Sequence, residues 1–284
     1  MFPAPAMGSS LSLPDGTRTW VMGVLNITPD SFSDGGRFIR PERALRQADR
    51  MVREGADVLD LGAQSTRPGA PEVGAVVERE RLMPALRAIR TAHPRAVISI
   101  DTFHASVAEA ALAEGADWIN DVSAGRRDPA LLRMVAACNC PLVLMHSRGD
   151  SRSMDALCRY TDPIGEVRTE LLQATERALA AGVSSSRLIW DPGLGFAKTT
   201  DQNLKLLQGL GRLRQEGFPL LVGPSRKRFI GEVLAEPRPR ARLWGTAAVC
   251  AQAIGAGADV LRVHDVAPIV QTARMVDAIV RASS

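Results

Sequence analysis

A chain of 284 residues, 45% of them apolar, can bury a sizeable core, either as one large α/β barrel or as two ordinary domains. Aromatic residues make up only 4%, too few for a surface built to stack single-stranded nucleic acid. The net charge of +4 suits an anionic partner, but Lys and Arg alternate with Asp and Glu, which favours a small anionic molecule over nucleic acid or a membrane surface.

Residues 1–10 read as a loose tail and residues 11–284 as one domain. Met1 to Gly8 carry no basic stretch followed by an apolar run, and no segment approaches a membrane-spanning length. Cys138, Cys140, Cys158 and Cys250 form no C-x-x-C pair. Reduced thiols in a cytoplasmic protein are expected.

Leu11-Ser12-Leu13 and Thr17-Arg18-Thr19 flank Pro14-Asp15-Gly16, which predicts a short β-hairpin. From Trp20 one unit recurs: an apolar strand, a polar or Gly-rich loop, then an amphipathic helix. The predicted strands are Trp20–Leu25, Val58–Leu61, Val97–Ile100, Trp118–Ile119, Leu142–Met145, Leu188–Trp190, Leu220–Val222 and Val260–Val263. Between them lie 3.6-period stripes such as Ala44, Leu45, Ala48, Met51, Val52 and Gly55. Glu54-Gly55-Ala56-Asp57, Glu114-Gly115-Ala116-Asp117 and Ala256-Gly257-Ala258-Asp259 share one plan for returning from helix to strand. Eight such units in about 260 residues predict a single-domain (β/α)8 TIM barrel. An open doubly wound sheet is the alternative, but G-x-G-x-x-G is absent after the first strand.

In a barrel the chemistry gathers where the strands end. Asn26 to Gly36 follow the first strand and Ser65 to Gly69 the second. Asp101, Asn120, His146, Asp191, Lys227 and Arg262 follow or close the others. Helix capping explains single cases, and Asp265 before Val266-Ala267-Pro268 is read as an N-cap, but not the whole set. Asp101, Asn120 and Asp191 suit the edge of a flat heterocycle bearing amines. Lys227, Arg262 and His264 suit a phosphate or carboxylate. The local basic segment is Arg226-Lys227-Arg228. The first loop, with Pro29, Gly35 and Gly36, reads as a lid.

Gly23 to Gly36 and Ser65-Thr66-Arg67-Pro68-Gly69-Ala70 together resemble the first two loop signatures of the dihydropteroate synthases. Asp191-Pro192-Gly193, Ser225-Arg226-Lys227 and Arg262-Val263-His264-Asp265 follow in the family's order. The resemblance covers about residues 18 to 280. It implies condensation of a pterin methyl diphosphate with 4-aminobenzoate in folate synthesis, with Mg²⁺ as cofactor, in a homodimer. It also implies that Asp101, Asn120, Asp191 and Lys227 hold the pterin. Arg262 would lie over the ring and, with His264 and Asn26, hold the diphosphate, with Asn26 also touching Mg²⁺. Thr66, Pro68, Phe196 and Phe32 would frame 4-aminobenzoate, and Asp34, Arg67 and Lys227 would be catalytic. Three departures stand out: Gly62-Ala63-Gln64 where the family commonly has Gly-Gly-Glu, Arg228 where Ser is frequent, and Ser147 in the usual Met-His-Met-Arg.

Three other functions are open to a barrel with these residues. A pterin-dependent methyltransferase would need neither the first loop nor Ser225-Arg226-Lys227. A Schiff-base aldolase on Lys227 would leave both loops unexplained. A non-enzymatic pterin binder would not need Asn26, Arg67 and Lys227 together. The helices around Leu243–Ile254 and Val266–Ile279 are apolar on most faces and could form the dimer interface.

Overall fold

A computed structural model describes residues 13–28, 41–64 and 72–281. Strands and helices alternate: β1 (Trp20–Asn26), α1 (Pro41–Arg53), β2 (Val58–Gly62), α2 (Ala75–Ala92), β3 (Val97–Asp101), α3 (Ala105–Ala113), β4 (Trp118–Asp121), α4 (Ala130–Cys138) and β5 (Leu142–Met145). There follow α5 (Pro163–Ala180), β6 (Leu188–Asp191), α6 (Thr200–Gln208), α7 (Leu210–Arg214), β7 (Leu221–Val222), α8 (Arg228–Val233), α9 (Leu243–Gly255), β8 (Val260–Val263) and α10 (Val266–Val280). The strands run parallel in the order β6-β5-β4-β3-β2-β1-β8-β7. A parallel bridge between Trp190 and Leu220 joins the two ends, so the sheet closes into the expected barrel.

The helices bury the stripes that the sequence predicts. Ala44, Ala48 and Met51 of α1 are buried, as are Val266, Ile269, Val270 and Ala273 of α10. Gly55 takes φ +94° at the helix-to-strand return, which an L side chain would resist.

Strand side chains alternate between the helix layer and the barrel interior. Met22, Val58, Trp118, Val143, Ile189, Leu221 and Val260 form an apolar layer with Leu13, Trp20 and Val97 packed against it. Moving two residues along β2, β4, β6 and β8 from that layer reaches Asp60, Asn120, Asp191 and Arg262. The same alternation that fills the bottom of the barrel therefore aims polar groups at its mouth.

The hairpin does not form over residues 13–19, and Leu11 and Ser12 lie outside the described residues. Asp15 turns this segment by accepting from the Thr17 N–H and hydroxyl. Thr19 then donates to Asp277 of α10 through its N–H at 2.7 Å and its hydroxyl at 2.8 Å. Pairing with a helix carboxylate replaces pairing with a second strand. All four cysteines are free thiols, and Cys140 and Cys250 are buried.

Candidate active site

The floor of the mouth is acidic. Asp101 and Asn120 are register partners across β3 and β4, while Asn26 pairs with Gly62 and Gly62 with Asp101. Those pairings set Asn26, Asp101 and Asn120 at one level of the barrel. Asp191 sits at the same end of β6, and its Oδ1 accepts from the Gly193 N–H at 2.7 Å. Burial pushes the Asp101 carboxyl up to about 7, against the pull of Arg262 and with a further push from Asp60. Burial raises Asp191 as well, opposed by the Gly193 N–H and Lys227.

Asp60 is the residue that the sequence did not single out. It lies in the middle of β2 with no exposed surface. The Arg262 guanidinium donates from Nε to Asp60 Oδ2 and from Nη2 to Asp101 Oδ2, both at 2.6 Å. Asn120 Nδ2 adds a 3.3 Å bond to the same Asp60 oxygen. Arg262 thus lies down inside the barrel, where its fork holds two carboxylates. Asn120 Oδ1 is buried and has no partner.

The other wall is cationic. Lys227 Nζ stands 4.0 Å over the Phe196 ring. Burial and the neighbouring Arg262 bring its pKa down to about 8, while Asp191 and Asp101 oppose the fall. His264 Nδ1 lies 3.0 Å from Ser225 Oγ, and the same oxygen accepts from the His264 N–H at 3.1 Å. Burial, Arg226 and Arg262 hold this imidazole down to about 3, so it is neutral at physiological pH.

Of the three adjacent basic residues only Lys227 turns its side chain to the mouth. Arg226 makes a two-pronged pair with Asp265 at 2.6 and 3.0 Å, and Arg228 reaches outward to Asp155 at 3.5 Å. Asp265 holds the N-cap position of α10 without a side-chain cap bond, because its carboxylate is spent on Arg226. His146 also leaves the expected set. Val143 and Met145 take the inward positions of β5, so the next residue turns away and pairs with Glu170 at 3.0 Å.

Phe32, Asp34, Thr66, Arg67 and Pro68, and the expected lid beyond Thr28, lie outside the described residues. Among the described residues no group of three His, Cys, Asp or Glu side chains could hold a metal. Asn26 offers one amide oxygen at the mouth. Such a ligand fits Mg²⁺ that keeps its waters and arrives with substrate phosphates, rather than one held in a protein cage.

Residues 22–264 match the family model described as "Pterin binding enzyme". The dihydropteroate synthase of Synechocystis is 47% identical over 280 residues, covering 99% of this chain and 96% of that protein. The Xanthomonas albilineans dihydropteroate synthase, solved with 4-aminobenzoic acid, superimposes with a TM-score of 0.87 at 42% identity, covering 94% of each chain. Solved with 7,8-dihydropteroate, the same enzyme gives a TM-score of 0.84 at 39% identity, covering 96% of this chain and 97% of that one. The chain belongs to the dihydropteroate synthase family of pterin-binding enzymes.

Proposed function

We propose that this mouth condenses (7,8-dihydropterin-6-yl)methyl diphosphate with 4-aminobenzoate, giving 7,8-dihydropteroate and diphosphate in folate synthesis. The observation that carries this reading is the buried, unpartnered Asn120 Oδ1 between Asp101 and Asp191. Buried polar atoms are nearly always paired, so an orphan acceptor beside two carboxylates calls for a ligand with several N–H donors on one edge. A pterin has that edge.

Binding must release Asp101 from Arg262. The freed guanidinium then lies over the ring, its charge toward the diphosphate, with Lys227, His264 and Arg67 beside it. Asn26 would hold Mg²⁺, which would supply further positive charge to the departing diphosphate. The C–O bond to diphosphate breaks first, its electron pair leaving with the oxygen. Asp34 and the acidic floor stabilise the pterin methyl cation. The 4-aminobenzoate amine closes the C–N bond and loses a proton. Phe196, Phe32, Thr66 and Pro68 frame the aminobenzoate, and Arg228 offers its backbone N–H near the start of α8 to the carboxylate.

The enzyme works as a homodimer in the cytoplasm on this reading. No helix among the described residues is long and apolar enough to cross a membrane. Trp244 on α9 and Met275 and Ile279 on α10 are exposed, and a second copy would cover them. Chromatography of a reaction holding both substrates and Mg²⁺ tests the reading. Dihydropteroate should form, and omitting 4-aminobenzoate should abolish it. No product with all components present would overturn the reading.

A further inference from the structure

Behind the mouth, between β5 and β6, lies a charged cluster that the catalytic reading leaves unused. Lys198 is 3% exposed, and its Nζ has three partners. They are the Gly193 carbonyl at 3.0 Å, the Phe196 carbonyl at 3.0 Å and His146 Nδ1 at 2.9 Å. An ammonium has three N–H donors, so three acceptors saturate it. His146 Nδ1 must then be the acceptor, which leaves its proton on Nε2, facing Glu170 Oε2 at 3.0 Å. Glu170 in turn accepts from Arg148.

We propose that Lys198 is a positioning residue for the transfer reaction: as an ammonium it clamps the loop after β6 to the end of β5 and so holds Phe196 beneath Lys227 for 4-aminobenzoate. The proposal rests on the functional reading above.

The loop is built to depend on this clamp. Gly193 takes φ +66°, and a Cβ there would meet the His146 carbonyl oxygen at 1.8 Å, so the two backbones lie in direct contact. Asn203 of α6 fixes the far end of the loop. It accepts from the Gly195 N–H at 2.7 Å and donates to the Lys198 carbonyl at 3.2 Å. Between those anchors, the Gly193 and Phe196 carbonyls are held by the lysine. Phe196 carries the ring under Lys227.

A neutral lysine cannot do the same. With only two N–H groups it must let one acceptor go, or turn its lone pair to accept a hydrogen bond from a His146 Nδ1–H. In the second case His146 Nε2 becomes an acceptor facing the Glu170 carboxylate, and that bond is lost. The charged groups around Lys198 are Asp191, Glu170, Lys227 and Arg148, with the Tyr160 ring 6.0 Å away. Burial brings Lys198 down to about 7, while Asp191 and Glu170 oppose the fall. Burial alone would raise Glu170, but bonds from His146 and Arg148 bring it to about 2, so it remains the anion that the clamp requires.

The test is the pH profile of kcat/KM for 4-aminobenzoate, with calorimetric affinity for a pterin as the second readout. Lys198→Met keeps the length and apolar stem and removes all three donors. It should raise KM for 4-aminobenzoate on the order of tenfold while pterin Kd stays within about threefold. Glu170→Gln keeps an acceptor for His146 Nε2–H but removes the anion. It should move the alkaline limb of the profile to lower pH, and it serves alone if Lys198→Met fails to fold. Glu170 is not among the groups that tune Lys227, so a shift of that limb reports Lys198. A wild-type KM in Lys198→Met, or an unmoved limb in Glu170→Gln, would overturn the proposal. So would an equal loss of pterin affinity. An unmodified chain that made no dihydropteroate would instead overturn the functional reading, and the proposal with it.

Discussion

Arg262 donates to Asp60 across a 2.6 Å contact, although 202 residues separate them and Asp60 has no exposed surface. Breaking a buried pair leaves an uncompensated charge. Asp60→Asn keeps the shape and removes the anion, while Arg262 retains Asp101. Stability should fall by about 3 kcal/mol, at the low end for a broken buried pair. Urea unfolding followed by circular dichroism measures it. Unchanged stability would mean that Asp101 alone holds the guanidinium.

The acidic floor makes a binding prediction. Asp191→Ala leaves donors on the pterin edge without a partner, at a cost of about 1–3 kcal/mol. Calorimetry should show the pterin Kd rising roughly 5- to 150-fold. An unchanged Kd would remove Asp191 from the pocket.

Glu78, in the first turn of α2, supplies a pH dependence. It is 1% exposed and neither carboxyl oxygen has a hydrogen-bond partner of good geometry. Burial pushes it from the usual carboxylate range up to about 7, with the Thr102 hydroxyl opposing. The folded state therefore favours the proton. Stability from this group is fully present below the ordinary carboxylate value and is lost as pH rises through about 7. Glu78→Gln removes that dependence. The variant should match the wild type near pH 4 and exceed it by about 3 kcal/mol at pH 8. Equal Tm values at both pH values would show that Glu78 finds a partner in solution.

The barrel was legible because each strand is an apolar run and five of the seven helix-to-strand returns carry a glycine, at Gly55, Gly115, Gly182, Gly217 and Gly257. The strand ends ran short for a physical reason. Asn26, Gly62, Asp101 and Asp191 continue the backbone pairing after the apolar pattern has stopped, because a barrel mouth is polar. Asp60 was hidden by its neighbours: in Val58-Leu59-Asp60-Leu61 a lone acid reads as an interruption, and its partner appears only once β8 lies beside β1. The inward parity of β2, taken from Val58, could have found it. The same parity count on β5 would have taken His146 out of the mouth. Lys198 lies five residues beyond the Asp191-Pro192-Gly193 motif and outside it, so its three acceptors were visible only in three dimensions.

The central claim is that one wall of the mouth carries the diphosphate and the other reads the ring, and Arg262→Lys tests it most directly. Lysine keeps the charge but loses the planar fork. Removing one charge-assisted hydrogen bond costs about 1.5–3 kcal/mol, or roughly 10- to 150-fold in rate when the bond acts in the transition state. Diphosphate release, followed with both substrates and Mg²⁺ at saturation, is expected to slow by that factor. Release at the wild-type rate would contradict the assignment and leave the departing diphosphate to His264 and Lys227.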